Sequence, residues 1–120
     1  MSYDLAVWQG EMPATDADAA SVYRSLMERR SGSPREEPAP AIRTFVDALL
    51  ARWPDLNQPG GDDSPWNAAP LMGEASGDAI YFGMAWSRAQ EAGEFAVQVA
   101  AEQGLVCFDP QVEQLRRPGD

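Results

Sequence analysis

The chain has 120 residues, 44% of them hydrophobic, and nineteen acidic against nine basic residues leave a net charge of −10. That is one domain of ordinary size with enough apolar residues for a single core, so neither a disordered chain nor a two-domain protein fits. There is no histidine and a single cysteine, Cys107, which excludes an internal disulfide and any Ser–His or Cys–His catalytic pair, and argues against zinc.

Tyr3 to Trp8 reads as a first strand, with Tyr3, Leu5 and Val7 on one face. Thr15 or Asp16 can cap a helix whose stripe is Ala19, Val22, Tyr23, Leu26 and Met27. Asp16 and Asp18 at its start and Arg29 and Arg30 at its end match the helix dipole, and Gly32 closes it. Residues 31–40 (SGSPREEPAP) read as an exposed linker. A second helix follows from about Ala41, carrying Ile42, Phe45, Val46, Leu49 and Leu50 on one side and stopped at Trp53-Pro54. Residues 54–70 form a long acidic loop, and Leu71 to Ala75 is a candidate short strand turning through Ser76-Gly77-Asp78.

The clearest unit is Ala79 to Pro110. Ile80, Phe82, Met84 and Trp86 alternate with lighter residues as in a strand. Ser87 and Gln90 have the spacing of a capping box, and Ala92, Phe95, Ala96, Val99 and Ala100 form one helical stripe. Gly104 can close that helix, and Leu105 to Phe108 is a short strand ended by Asp109-Pro110. A strand–helix–strand unit of this length implies two parallel strands joined by a right-handed crossover. With a short tail over 110–120, the order is strand, helix, helix, strand, strand, helix, strand. Removing one helix gives βαββαβ, so the expected fold is a single α+β domain of ferredoxin-like type over residues 1–120. It has a four-stranded mixed sheet with helices on one face. The other face would be open, with Trp8 and Tyr81 among its candidate contact residues.

Chemistry is sparse. Cys107 lies in an apolar strand with no basic neighbour in sequence to activate it and reads as a small core residue. Asp55, Asn57 and Gly60 match three positions of a calcium loop, but Pro59 and Trp66 occupy the fifth and twelfth, and the match fails. Gly60-Gly61 is followed by Asp62-Asp63 rather than lysine, which rules against a phosphate loop. Asp4 and Asp109 both stand at strand ends, where a carboxylate pair for acid–base work is conceivable, although no spacing singles it out. No catalytic residue, metal ligand or cofactor is assigned. Net negative charge argues against nucleic acid and anionic membranes as partners, and the longest apolar run is far shorter than the roughly 18–20 residues a bilayer requires. The N-terminus has no signal-peptide pattern, so a cytoplasmic location is expected.

The opening Ser2-Tyr3-Asp4-Leu5-Ala6-Val7-Trp8, the strand Ile80-Tyr81-Phe82-Gly83-Met84 and the closing Gly104-Leu105-Val106-Cys107-Phe108-Asp109-Pro110-Gln111 resemble a group of small actinobacterial proteins. Their organisation is similar to that of the small acidic immunity proteins of bacterial polymorphic-toxin systems. The shared motifs are structural and define no catalytic residue. The resemblance implies a non-enzymatic protein-binding domain that blocks a basic partner, such as a toxin domain. Asp55, Asp62, Asp63 and Trp66 of the acidic loop, with Trp8 and Tyr81, are the expected contact residues. The alternatives are a small-molecule-binding or enzymatic domain using the open sheet face, and a homodimer in which the partner is the chain itself.

Overall fold

The computed structural model describes residues 2–119. Its strands are β1 (Ser2–Trp8), β2 (Ala75–Ser76), β3 (Ala79–Ala85), β4 (Val106–Asp109) and β5 (Gln114–Leu115), and its helices are α1 (Asp16–Gly32), α2 (Pro40–Arg52) and α3 (Ala89–Glu102). The five strands form one open sheet in the order β2-β3-β1-β4-β5. Every neighbouring pair is antiparallel, so the sheet is neither four-stranded nor mixed. β3 and β4, joined through α3, do point the same way. They are not partners, because β1 lies between them and pairs with both.

Helices cover both faces of this sheet, which corrects the expectation of an open one. Leu5 and Val7 of β1, Ile80, Phe82 and Met84 of β3, and Cys107 of β4 point to α2 and α3 and pack with Ile42, Phe45, Val46, Leu49, Ala92 and Ala96. On the reverse face Ala6, Trp8, Val106 and Phe108 pack with Ala19, Ala20 and Leu26 of α1, flanked by Tyr23, Met27 and Tyr81. Strand geometry sends alternate residues of β1 into the two cores. α1 covers the second face, where its small residues Ala19 and Ala20 are buried against the sheet and Trp8 and Phe108 pack beside them. Val22, expected in the stripe of α1, is 39% exposed.

Local signals fare unevenly. The Thr15 hydroxyl caps α1 by accepting the Asp18 N–H at 3.0 Å, and Gly104 takes the left-handed φ of +69° after α3. The Ser87–Gln90 capping box does not form. Trp86–Arg88 make a 3-10 turn and Arg88 stands at the helix start without a side-chain cap. Residues 71–74 are a 3-10 turn, leaving Ala75–Ser76 as the only strand there. The presumed tail after Pro110 returns instead as β5, pairing Leu115 with Phe108 and Gln114 with Asp109.

Two segments without regular structure are held by side chains. In the linker, the Arg35 guanidinium donates to the carbonyls of Ala75 and Met72 at 2.9 and 3.0 Å, and Arg30 donates to that of Glu74 at 2.8 Å. In the 54–70 loop, Trp66 is 1% exposed, packs between Trp53 and Phe82, and donates its indole N–H to the Trp53 carbonyl at 2.9 Å. Gly61 is buried at the centre of this loop. A Cβ there would stand 2.4 Å from the Asp55 carbonyl oxygen and 2.5 Å from that of Leu56, backbone atoms that cannot step aside singly. Gly61→Ala is therefore expected to destabilise the fold by about 1–3 kcal/mol, as overpacking does. A lower denaturant midpoint checks it, and an unchanged midpoint would show that the loop yields freely.

Candidate functional site

The residues singled out from sequence do not come together. Trp8 is 3% exposed beneath α1 and Trp66 lies in the opposite core, so neither offers a contact surface. Asp55 uses its carboxylate inside the loop, accepting the Leu71 N–H at 2.7 Å. Asp63 pairs with Arg88 at 3.1 Å, and Arg88 also holds Glu91 at 2.5 Å. Asp62 is exposed and is the one loop acid of these three without a partner among the described residues. Tyr81 is half-buried below α1 and donates its hydroxyl to Asp4 at 2.6 Å.

Polar chemistry gathers instead at one end of the sheet, where β1 begins, β3 leaves and β4 turns into β5. Asp109 is 1% exposed, yet its carboxylate is well supplied with donors. The Tyr3 hydroxyl donates to Oδ2, the Gln111 backbone N–H and side-chain amide donate to Oδ1 at 2.9 and 2.5 Å, and the Arg116 guanidinium stands 3.6 Å away. A buried carboxylate is tolerated only with such compensation. On the other face of β1, Asp4 accepts from Tyr81 and from the Ser2 hydroxyl at 2.5 Å. Gly83 makes room for them, since a Cβ there would lie 2.3 Å from the Ser2 hydroxyl and 2.8 Å from the Asp4 carboxylate.

Gln111 links the two halves of this cluster. Pro110 has no N–H and turns the chain away from β1, leaving Asp4 without a strand partner on that side. The Gln111 amide replaces the missing peptide, its oxygen accepting the Asp4 N–H and its nitrogen donating to the Asp4 carbonyl, both at 2.7 Å. Asp4 and Asp109 thus share an end of the sheet, as their strand-end positions suggest. Each carboxylate is committed to a tyrosine hydroxyl on its own face, and they do not form a facing pair.

Beside the cluster lies the most exposed aromatic group. Trp86 is 54% exposed and leans on the Tyr3 ring at 5.4 Å between centroids, and Val112, 56% exposed, stands on the turn between β4 and β5. A depression of about 320 Å³ separates Trp86 from Glu94 and Arg116, and a wider one of about 740 Å³ runs from Tyr3 and Asp109 to Thr15 and Asp16. Sequence reading put Trp86 on the apolar face of β3, where its parity belongs. The signal that it escapes burial is its neighbour Ser87-Arg88, which ends the strand one residue too early for the core to reach it.

Burial raises the pKa of all three tyrosines. Tyr3 is pushed up to about 12 by desolvation and then by the Asp109 hydrogen bond and charge. Tyr81 rises through desolvation and its bond to Asp4, and Tyr23 mainly through desolvation. Burial also lifts the Cys107 thiol to about 12, the reverse of what a reactive cysteine needs. Among the described residues no group of three or more His, Cys, Asp or Glu side chains is arranged to hold a metal ion. The chain matches no known family model, no curated protein and no solved structure.

A tyrosine is neutral when protonated, so a folded value above the unfolded one favours the folded state at every pH below the unfolded value. That advantage is lost as pH rises through the folded value. Stability should therefore hold up to about pH 10 and fall between about 10 and 12, with tyrosinate absorbance appearing late in the folded protein. Tyr3→Phe should cost about 1–3 kcal/mol at neutral pH, by removing a donor from a buried carboxylate, and should flatten part of the alkaline loss. Tyrosine absorbance that titrates near 10 in the folded chain would contradict this assignment.

Proposed function

We propose that the chain is a non-enzymatic protein-binding domain of the immunity type, which blocks a basic partner through the end of the sheet around Trp86. The observation that carries this reading is the contrast among the four tryptophans. Trp8, Trp53 and Trp66 are at most 5% exposed, while Trp86 is 54% exposed beside Tyr3 and Arg116. Tryptophan, tyrosine and arginine are the residue types that most often anchor protein interfaces. A net charge of −10 would speed encounter with a basic partner over a distance of about a Debye length, and the aromatic group would then set the residence time.

The order of four strands, β2-β3-β1-β4, with α2 and α3 on one face, supports reading the core as ferredoxin-like, with α1 and β5 as additions. That reading moves the contact surface. Because α1 covers the face left open in the four-stranded expectation, binding shifts from Trp8 and Tyr81 to the sheet end. A small-molecule site is the second reading, favoured by the 740 Å³ depression against Tyr3 and Asp109. It is the weaker one, because the Asp109 carboxylate at its wall is already occupied by its own neighbours.

Trp86→Ala should weaken binding of a basic protein partner by about 2 kcal/mol or more without lowering stability, since little of the ring is in the core. Association rates should fall steeply with added salt. Unchanged affinity in the variant, or no basic partner captured even at low salt, would remove this function. A dimer seen by sedimentation and dissolved by the same substitution would assign the surface to a second copy of the chain.

A further inference from the structure

Among the described residues Arg24, Arg43, Arg88 and Arg116 sit in ion pairs with carboxylates. Among the described residues Arg29, Arg30, Arg35 and Arg52 have no such partner, although acids outnumber arginines twofold in this chain; Arg52 lies over the Trp53 ring, which leaves the other three. All three surround the junction of the α1 C-terminus, the linker and the turn into β2. A cavity of about 260 Å³ opens there, lined by Arg30, Ser33, Arg35, Gly73 and Ser76. Every side chain in that wall is a cation or a hydroxyl, and none is an acid.

We propose that this cavity binds a phosphate group. The two guanidinium groups approach from different elements, Arg30 from the last turn of α1 and Arg35 from the linker. Arg30 is anchored by one bond, to the Glu74 carbonyl, and Arg35 by two, to those of Ala75 and Met72, which leaves its Nη1 free of these ties. Arg30 keeps a further donor, Nη1, which is buried without any acceptor. The Ser76 oxygen already accepts the Glu36 N–H at 2.9 Å, so its own proton is available to an incoming oxygen. Donors converging from several directions suit a tetrahedral oxyanion better than a planar carboxylate, which one guanidinium fork satisfies. At ~30 Å³ per water, the volume accommodates a phosphate and a few waters.

Two features oppose an anion here, and both are outweighed. The C-terminal end of α1 carries about half a negative charge, against two whole positive charges in the wall. Glu36 and Asp78 line the adjoining cavity of about 250 Å³ rather than this one, and the Glu36 carboxylate lies over Gly77.

Isothermal titration with inorganic phosphate, against sodium chloride at matched ionic strength and against acetate, tests the proposal on the intact chain. The expected result is a saturable one-to-one isotherm for phosphate alone. O-phosphoserine run in parallel supports the same site if it binds too, and then assigns it to phosphate monoesters rather than the free ion. Arg35→Gln should weaken phosphate by about tenfold or more, the value of a charge-assisted hydrogen bond, and Ser33→Ala by several-fold. Arg43→Gln, whose side chain pairs with Glu37 elsewhere, should leave binding unchanged. Equal heats for phosphate and chloride, or wild-type affinity in both Arg35→Gln and Ser33→Ala, would overturn it. If Arg35→Gln fails to fold, Ser33→Ala decides alone, with unchanged binding counting against the site.

Discussion

Everything in this fold leans on a first strand that is buried on both sides. Leu5, Ala6, Val7 and Trp8 are each 3% exposed or less, so consecutive residues must be covered by different layers. Leu5 and Val7 require α2 and α3 on one face, while Ala6 and Trp8 require α1 on the other. β1 also has a strand on each edge, β3 along its whole length and β4 along Ala6 to Trp8. With both faces and both edges occupied from Ala6 to Trp8, that half of β1 has no surface left for a ligand. The candidate surfaces therefore lie at the ends of the sheet and at the junctions where helices meet loops.

The irregular segments follow a common rule. Where no strand ladder is available, backbone groups are satisfied by side chains brought from far along the chain: Arg30 and Arg35 for the 72–75 carbonyls, Asp55 for Leu71, Gln111 for Asp4. Buried polar backbone must be paired, and these side chains supply the partner at little cost in regular structure. The same habit leaves cavities lined by charged or amide groups, which is why both candidate sites adjoin such ties.

Sequence periodicity made most of the elements legible. The stripe Ile42, Phe45, Val46 and Leu49 and the alternation Ile80, Phe82 and Met84 both name the larger core correctly. It failed where a choice depends on partners distant in sequence. α1 has a mixed stripe, and only the presence of Trp8 and Phe108 on the far face of the sheet decides where it docks. β5 is two residues long, too short for any pattern, and exists because Phe108 and Asp109 offer it an edge. The acidic loop looked like a contact surface because tryptophans flank it. Both of those rings turn inward, Trp66 onto Phe82 and Trp53 onto Phe95, as apolar groups in a long loop do when core is within reach. Trp86 gave no signal of exposure other than the polar residues that follow it.

The Gln111 amide has a consequence for how the chain is assembled. The residues it joins, Asp4 and Gln111, are 107 positions apart, and the Tyr81–Asp4 bond spans 77. β1 precedes both of its partners, so one edge waits for β3 and the other for β4 and the turn beyond it. Such non-local topology slows the search for the native state, because loop closure is paid before pairing rewards it. During synthesis α1 and α2, which cover opposite faces of the sheet, emerge while β1 still lacks both neighbours. Closure of the second edge then comes late, when the turn past Pro110 emerges and the Gln111 amide ties onto Asp4 of β1.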